Sequence, residues 1–524
     1  MSSTREPLPV AGERSHRIAL AALLAVALAH SWYRAFLIDD ACISFRYARN
    51  LAEGAGLVFN VGERVEGYTN FLWTLILAAA TRLGLDPAPV AEVAGILSSL
   101  ILLAILYRWG RECGLGRTWA LVAPGMLAVN RTYAAWATGG LETRFFTLLL
   151  VASAWRLHAE ARTMGEAGSD EAPGPSDPTT GFPFSALLLA LACLTRPEGL
   201  LAAAVAGAGY LIACVRSGRS ASWVRFAIWS VLIVVPGAAH VVWRRTYYGE
   251  WLPNSFYAKV PGLRLVSGVF YLYEFAWYHV LLAAIAALIF LGVRHREILP
   301  RARIAMTSLG AFALPFTALY LLYACLVGGD HFEFRFVDPI LPFLYLGMAL
   351  LSGPRADGDP TGSRPEARPA GEHAVLAVAL LVAAGLSSVT GFRDVDRHVS
   401  FGGKEHYVSI VSTESESAYF ARWAKIGRWL RTHANPAESI AVAPSGAIPY
   451  YSGLRTLDML GINDHEIARL PVQPGLNVGH ERWVGIDYVR ARGITYYIGS
   501  PEIRPERAAD RPEGTVEVDL GGFY

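Results

Sequence analysis

Two adjacent carboxylates, Asp39 and Asp40, follow directly on the first long apolar run of the chain, Ile18 to Ile38. Acids at a membrane boundary are costly to keep unless they do something, and a carboxylate within hydrogen-bond reach of a hydroxyl can take its proton. The next residues, ACISFRYARNLAEG (41–54), place Arg46, Arg49, Asn50 and Glu53 on one helical stripe and Ile43, Tyr47 and Leu51 on the other side. Such a helix is expected to lie along the bilayer surface and hold the acidic pair at the rim. Four other polar islands break the apolar pattern: VEGYTN (65–70), WATGGLETR (136–144) with Glu142, YYGEWLPNSFYAK (247–259) with Asn254, Tyr257 and Lys259, and GGDHFEFRF (328–336) with Asp330, His331 and Arg335.

Each island has a plainer reading. Asp39 and Asp40 can cap a helix starting at Ala41. Lys259 and Arg335 can be interface residues whose stems lie in lipid. Asp330 and Arg335 can form a local ion pair, His331 can face solvent, and Glu142 can favour the start of the following helix. TRPEG (195–199) reads as a turn between two spans with Arg196 and Glu198 paired.

With 53% hydrophobic and 17% charged residues and a mean hydropathy of +0.34 over 524 residues, the chain is too apolar for a soluble protein of its size. A net charge of +2 with scattered arginines excludes a nucleic-acid partner. The cysteines Cys42, Cys113, Cys193, Cys214 and Cys325 lack the spacing of a zinc site or a disulfide framework. The first apolar run has no small-residue cleavage site after it and reads as a retained span.

Apolar runs fall near 18–38, 88–107, 118–136, 143–159, 182–196, 198–215, 223–243, 273–293, 304–327, 336–352 and 373–390, which predicts an α-helical polytopic membrane protein of about 11 transmembrane helices. The shorter Phe71–Leu85 segment suits an interfacial helix. Leaving it out of the count puts the arginine clusters at 108–117, 216–225, 294–303 and 355–368 on one side, together with Arg5, Arg14 and Arg17. The expected topology therefore has the N-terminus inside the cytoplasmic membrane, the polar islands outside, and two Pro/Gly/acid-rich linkers, 160–181 and 353–372, inside.

The composition divides the chain into a membrane domain, 1–390, with an outer loop at 39–87, and a water-soluble α/β domain, 391–524, on the outer face. The pattern of the second part is a capped helix, SESAYFARWAKIGRWLRTHANP, then SIAVAP, PYYSGL, RTLDMLGI, ITYYIGS and TVEVDL, an alternation of helix and strand.

Several segments together resemble the bacterial AftB-type arabinofuranosyltransferases of the GT-C glycosyltransferases: 37–73 (LIDDACISFRYARNLAEGAGLVFNVGERVEGYTNFLW), GLETRFF, LTRPEG, PNSFYAK, GGDHFEFRF and PSGAIPYYSGLRTLDMLGIND. The resemblance is ordered and spans nearly the whole chain. It implies the GT-C fold, with juxtamembrane helices in the first outer loop, and a polyprenyl-phosphate sugar donor, with arabinofuranose as the indicated sugar and a cell-envelope glycan or lipid as acceptor. By position and by resemblance, Asp39 is then the expected base toward the acceptor hydroxyl, with Asp40 second. Arg335, whose guanidinium can fork onto two phosphate oxygens, and Lys259 as a point charge would neutralise the leaving phosphate. Asp330, His331, Asn254, Tyr257 and Glu142 would orient the sugars. No cofactor is required; the two acids could hold a divalent cation, but the basic residues make one unnecessary. The competing reading is a transporter or flippase of lipid-linked sugars, and a third is a scaffold whose outer domain binds polysaccharide. Ionisable residues at one rim and the lack of a repeat argue against transport.

Overall fold

The computed structural model describes residues 11–166, 182–259, 262–281, 309, 312–354, 370–401, 404–473 and 481–501. Within them the chain is mainly helical, in the order α1 (Ala11–Tyr33), α2 (Asp39–Ala52), α3 (Phe71–Arg82), α4 (Pro87–Glu112), α5 (Val122–Val129), α6 (Arg131–Ala135), α7 (Thr143–Glu166), α8 (Phe184–Thr195), α9 (Gly199–Ser217), α10 (Ser220–Tyr248), α11 (Asn254–Lys259), α12 (Leu265–Tyr278), α13 (Ala313–Val327), α14 (Leu341–Ser352) and α15 (Ala370–Thr390). Four helices among the described residues are long and apolar enough to cross a membrane: α4, α9, α10 and His373–Thr390 of α15. The apolar helices α3, α8, α13 and the stretches 119–129 and 338–352 are shorter. The 12-residue α3 agrees with an element too short to span.

The run at 118–136 is not one helix. Asn130 is extended and accepts from the Tyr133 amide as N-cap of α6, so the helix ends and restarts there. The reason lies in Arg131, which is buried and must meet Glu333 at 2.7 Å, a demand that a continuous apolar span would not satisfy. The first linker also begins later than composition suggests, because α7 runs on to Glu166. The rest of that linker, most of the second, half of the 273–293 run and TVEVDL lie outside the described residues.

After α15 the chain forms an antiparallel hairpin, β1 (Val395–Phe401) with β2 (Lys404–Ile410), that composition did not indicate. Then come α16 (Thr413–His433), β3 (Ser439–Val442), α17 (Ala447–Ser452), β4 (Arg455–Asp458), α18 (Ile486–Ala491) and β5 (Tyr496–Gly499). The three strands make a parallel sheet in the order β4-β3-β5, with Ser439 opposite Arg455 and Ile440 opposite Tyr496. The central strand SIAV is buried throughout, as a strand covered on both faces requires. SIAVAP, RTLDMLGI and ITYYIGS thus supply the expected strands, and PYYSGL falls largely in α17.

The apolar core runs continuously through α4, α5, α7, α8, α9, α13 and α14. A second cluster joins α2, α3 and the start of α4 to Ala424 of α16 and to Ala447 and Tyr450 of α17, so the C-terminal elements are packed onto the first polar loop of the helical part.

Candidate active site

Helix α2 is not the surface-lying amphipath its pattern suggests. Part of its polar stripe packs against α17, while Glu53 stays exposed: Arg46 donates to the carbonyls of Phe59, Pro449 and Leu454 and to Asn60 Oδ1, and Arg49 donates to the Tyr450 carbonyl while lying 3.8 Å over that ring. The carbonyls need donors, and the only way to bury a guanidinium is to give its hydrogens such partners.

The acidic pair divides between two tasks. The helix begins at Asp39 with Ile38 as a non-bonding N-cap, so neither acid caps a helix at Ala41. The Asp39 carboxylate instead accepts from the Gly446 and Ala447 amides at 2.9 and 2.6 Å, at the start of α17, and the residue is 6% exposed. Burial lifts its pKa to about 7, against those two amides, which lower it. Asp40, next along the helix and so turned by about 100°, keeps 26% of its side chain exposed and lies 3.7 Å from Lys259 Nζ at the end of α11.

The loop after α13 supplies the second pair. Gly328 and Gly329 both have positive φ, and a Cβ on Gly329 would fall 2.4 Å from the Tyr271 ring. Two glycines therefore turn the chain sharply off the helix and lay Asp330 back toward Arg335. Arg335 donates to Asp330 at 3.0–3.1 Å and its guanidinium stands 4.6 Å over Phe332. Burial works against the Asp330 charge, but Arg335 first and then His331 hold its pKa well below the usual carboxylate range, and Lys259 adds to this. Burial likewise opposes the Arg335 charge, and Asp330 more than restores it. The local ion pair of Asp330 and Arg335 is thus formed. The His331 amide also donates to Asp330, and its ring nitrogen is 3.4 Å from that carboxylate.

Arg335 also senses Arg196, Glu142 and Asp40, which places these groups around it. Arg196 pairs with Glu198, as the TRPEG turn suggests, but its other nitrogen reaches Glu142 at 2.6 Å, and Glu142 accepts from Asn70 as well. Glu142 is therefore fixed by two donors. Asn254 and Tyr257 lie differently. The Asn254 amide donates to the carbonyls of Gly461, Ile462 and Asp464 and accepts from Arg469, so its hydrogen-bonding capacity is spent on joining α11 to the C-terminal part. Tyr257 lies under Arg469, 4.3 Å away, with its hydroxyl at the limit of reach of Glu250.

Sequence reasoning missed Glu416. It stands in the first turn of α16, is 7% exposed, and its pKa is pushed up to about 9 by burial, then by Asp40, Asp39 and Asp330. The only sequence signal is an acid in the opening turn of a capped helix, which is ordinary in itself. Two links bring it here: Phe332 and Val411 form a parallel bridge, and Glu333 accepts from Arg131 and from the Thr413 amide and hydroxyl. The cluster of Asp40, Lys259, Asp330, Arg335, Glu142, Arg196 and Glu416 thus offers acids that can hold or accept a proton beside cations that can bind an anion. Among the described residues, no group of three or more His, Cys, Asp or Glu side chains is arranged to hold a metal ion.

Residues 410–518 match a family described as a domain of unknown function, DUF8728. The terminal β-(1→2)-arabinofuranosyltransferase of Mycobacterium tuberculosis is 29% identical over 289 residues, 51% of this chain and 42% of that protein. The protein of the same name from Corynebacterium glutamicum is 27% identical over 336 residues, 58% and 46% of the two chains. The chain thus spans less than half the length of these curated relatives. In three dimensions it is similar to ArnT from Cupriavidus metallidurans bound to undecaprenyl phosphate, with a TM-score of 0.53 at 12% identity, covering 84% of this chain and 85% of that one. The chain thus shares the fold of that ArnT structure, and a little over half of its sequence is similar to the terminal arabinofuranosyltransferases.

Proposed function

We propose that the protein is a membrane glycosyltransferase that moves a sugar, arabinofuranose as first candidate, from a polyprenyl-phosphate donor to a glycan or lipid acceptor. The observation that carries this reading is the convergence of one half-exposed acid, Asp40, with two cations, Lys259 and Arg335, at the junction of apolar helices and a polar domain. A solved structure of the same fold holds undecaprenyl phosphate, and the sequence relatives are named for arabinofuranosyl transfer, which supports a lipid-borne donor and a pentose.

In this mechanism the acceptor hydroxyl gives its proton to a carboxylate as its oxygen bonds to the anomeric carbon, while the bond from that carbon to the phosphate oxygen breaks and its electron pair leaves on the phosphate. Arg335 and Lys259 neutralise the growing charge. The geometry favours Asp40 over Asp39 as the base. Asp39 already accepts two backbone amides and is enclosed, whereas Asp40 keeps 26% of its side chain exposed, 3.7 Å from Lys259. Asp330 and His331 fix Arg335, and Glu142 with Arg196 forms the wall behind it. An inverting displacement fits a single working carboxylate; a retaining outcome would give that acid a nucleophilic role.

The charge pattern further supports an N-terminus in the cytoplasm and a site on the outer face of the cytoplasmic membrane, where nucleotide sugars are lacking and a lipid-linked donor is needed. Incubation of the purified protein with a panel of polyprenyl-phosphate sugars and an arabinan acceptor, followed by mass analysis, tests the reading. A pentose added to the acceptor is the expected product, and no transfer from any donor would overturn it.

A further inference from the structure

Glu416 belongs to the C-terminal part, yet its carboxyl faces Asp40, Asp39, Asp330 and Arg335 of the helical part. The turn that carries it is fixed from several sides. Ser412 caps α16 by accepting from the Ser415 amide, Glu333 holds Thr413, and Arg131 together with Arg34 holds Glu414. Despite this anchoring and its burial, the Glu416 carboxyl makes no hydrogen bond or ion pair with any described residue. Its oxygens stay reachable from the site, since neither is among the fully enclosed unpartnered atoms of the described residues, and a hydroxyl brought to them gains a hydrogen bond that no described protein group supplies.

We propose that Glu416 binds the acceptor, its carboxylic acid hydrogen-bonding a sugar hydroxyl adjacent to the one that Asp40 deprotonates, so that the C-terminal domain completes the catalytic site. The assignment rests on the glycosyltransferase reading above. The side chain is placed for it: the two acids of α2 are the charges that act on it most, whereas Lys259 and Arg335, which suit the donor phosphate, form the other part of the cluster. Burial first, and then the three neighbouring acids, favour the neutral form of Glu416 against the one opposing cation, Arg335. A neutral carboxyl both donates and accepts, and that matches a neutral polyhydroxyl ligand and not an anion.

The test is steady-state kinetics of the full-length protein in detergent, with a polyprenyl-phosphate arabinofuranose donor and an arabinofuranoside oligosaccharide acceptor. Glu416→Ala and Glu416→Leu are expected to raise the acceptor KM about 10- to 100-fold, with the donor KM changed less than about threefold. Glu416→Gln, which keeps a donor and an acceptor, is expected to stay within about threefold of wild type on both. The proposal is overturned if the acceptor KM is unmoved in Glu416→Ala, if the donor KM moves instead, or if Glu416→Gln is as defective as Glu416→Ala. Should the Ala and Leu variants fail to fold, Glu416→Gln is compared with Glu416→Asp, whose shorter reach is expected to raise the acceptor KM; equal acceptor KM values in the two overturn the proposal. Calorimetric binding of the acceptor oligosaccharide alone to wild type and to Glu416→Gln and Glu416→Leu reads the same contact without turnover. A wild type that binds the acceptor but transfers nothing would count against the proposed function and leave Glu416 to be judged by binding.

Discussion

Asp39 and Arg46 grip opposite ends of one six-residue helix. Asp39 accepts from the amides of Gly446 and Ala447 where α17 opens, and Arg46, two turns further along α2, donates to the carbonyls of Pro449 and Leu454 where it closes. The anion meets the positive end and the cation the negative end, so the two helices run in the same direction and the stretch of α2 from Asp39 to Arg46 complements α17 in charge. The residue beside Asp39 is the open acid of the site. Docking of the C-terminal part and placement of Asp40 are therefore consequences of one contact.

Asp39 and Asp40 should separate by phenotype. Asp40→Asn is expected to lower kcat by about 100-fold or more and leave the melting temperature unchanged. Asp39→Ala strips two amides of their acceptor, which costs about 1–3 kcal/mol, and lowers both melting temperature and activity. Thermal melts beside transfer from a radiolabelled lipid donor make the comparison; full turnover in Asp40→Asn would return the role of base to Asp39.

Arg335 is expected to be sensitive to shape as well as charge. Its fork holds Asp330 and faces the site, so Arg335→Ala should cost about 100- to 1,000-fold in kcat/KM, and Arg335→Lys should recover only part of it because an ammonium cannot bind two oxygens in a plane. Saturation curves for the lipid donor in both variants provide the check. Equal activity of Arg335→Lys and wild type would remove Arg335 from the phosphate.

Gly446→Ala probes the α2–α17 contact by shape alone. A Cβ there would stand 1.9 Å from the Asp39 carbonyl oxygen, inside van der Waals contact with rigid backbone. The backbone φ of −98° is open to any residue, so only the clash acts. The variant is expected to be less stable by about 2 kcal/mol or more and to be cut by protease between the two parts at a concentration that leaves wild type intact. A Gly446→Ala protein with wild-type protease resistance would show that α17 is not tightly held.

Stability should fall as pH rises from about 5 to 9. Asp39 and Glu416 have pKa values raised by burial to about 7 and about 9, above their values in the unfolded chain. The folded state then binds more protons than the unfolded state, and the stabilisation present at low pH is lost as pH climbs through those values, by up to about 1.4 kcal/mol per pH unit for each proton. Asp330, whose pKa Arg335 and His331 depress, stays ionised across this window and adds no slope. Melting temperatures of wild type and Glu416→Gln at pH 5, 7 and 9 measure this; the variant should show the flatter profile, and identical slopes would mean that Glu416 is ionised when folded.

Much of the site was legible in the chain because its polar residues interrupt apolar runs, and such interruptions are costly. Asp40, Lys259, Asp330, Arg335 and Glu142 were each visible in this way, and the structure gathers them. Asn254 was visible for the same reason but is spent on docking, since a buried amide that satisfies three carbonyls looks, in sequence, like one awaiting a ligand. The polar stripe of α2 read as a water-facing surface because periodicity reports that a face is polar and not what covers it.

Composition and pattern by themselves determined that this chain is a helical membrane protein with an acidic pair at a boundary and an α/β portion at its end, because hydropathy and alternation are local properties. Only the tertiary structure decided which aspartate is enclosed and which is open, that 118–136 breaks at Asn130 to admit Arg131, and that Glu416 joins acids more than 370 residues away. Those outcomes depend on partners brought together by packing, and burial, which sets both the hydrogen-bond demand and the protonation of a side chain, exists only once the elements have met.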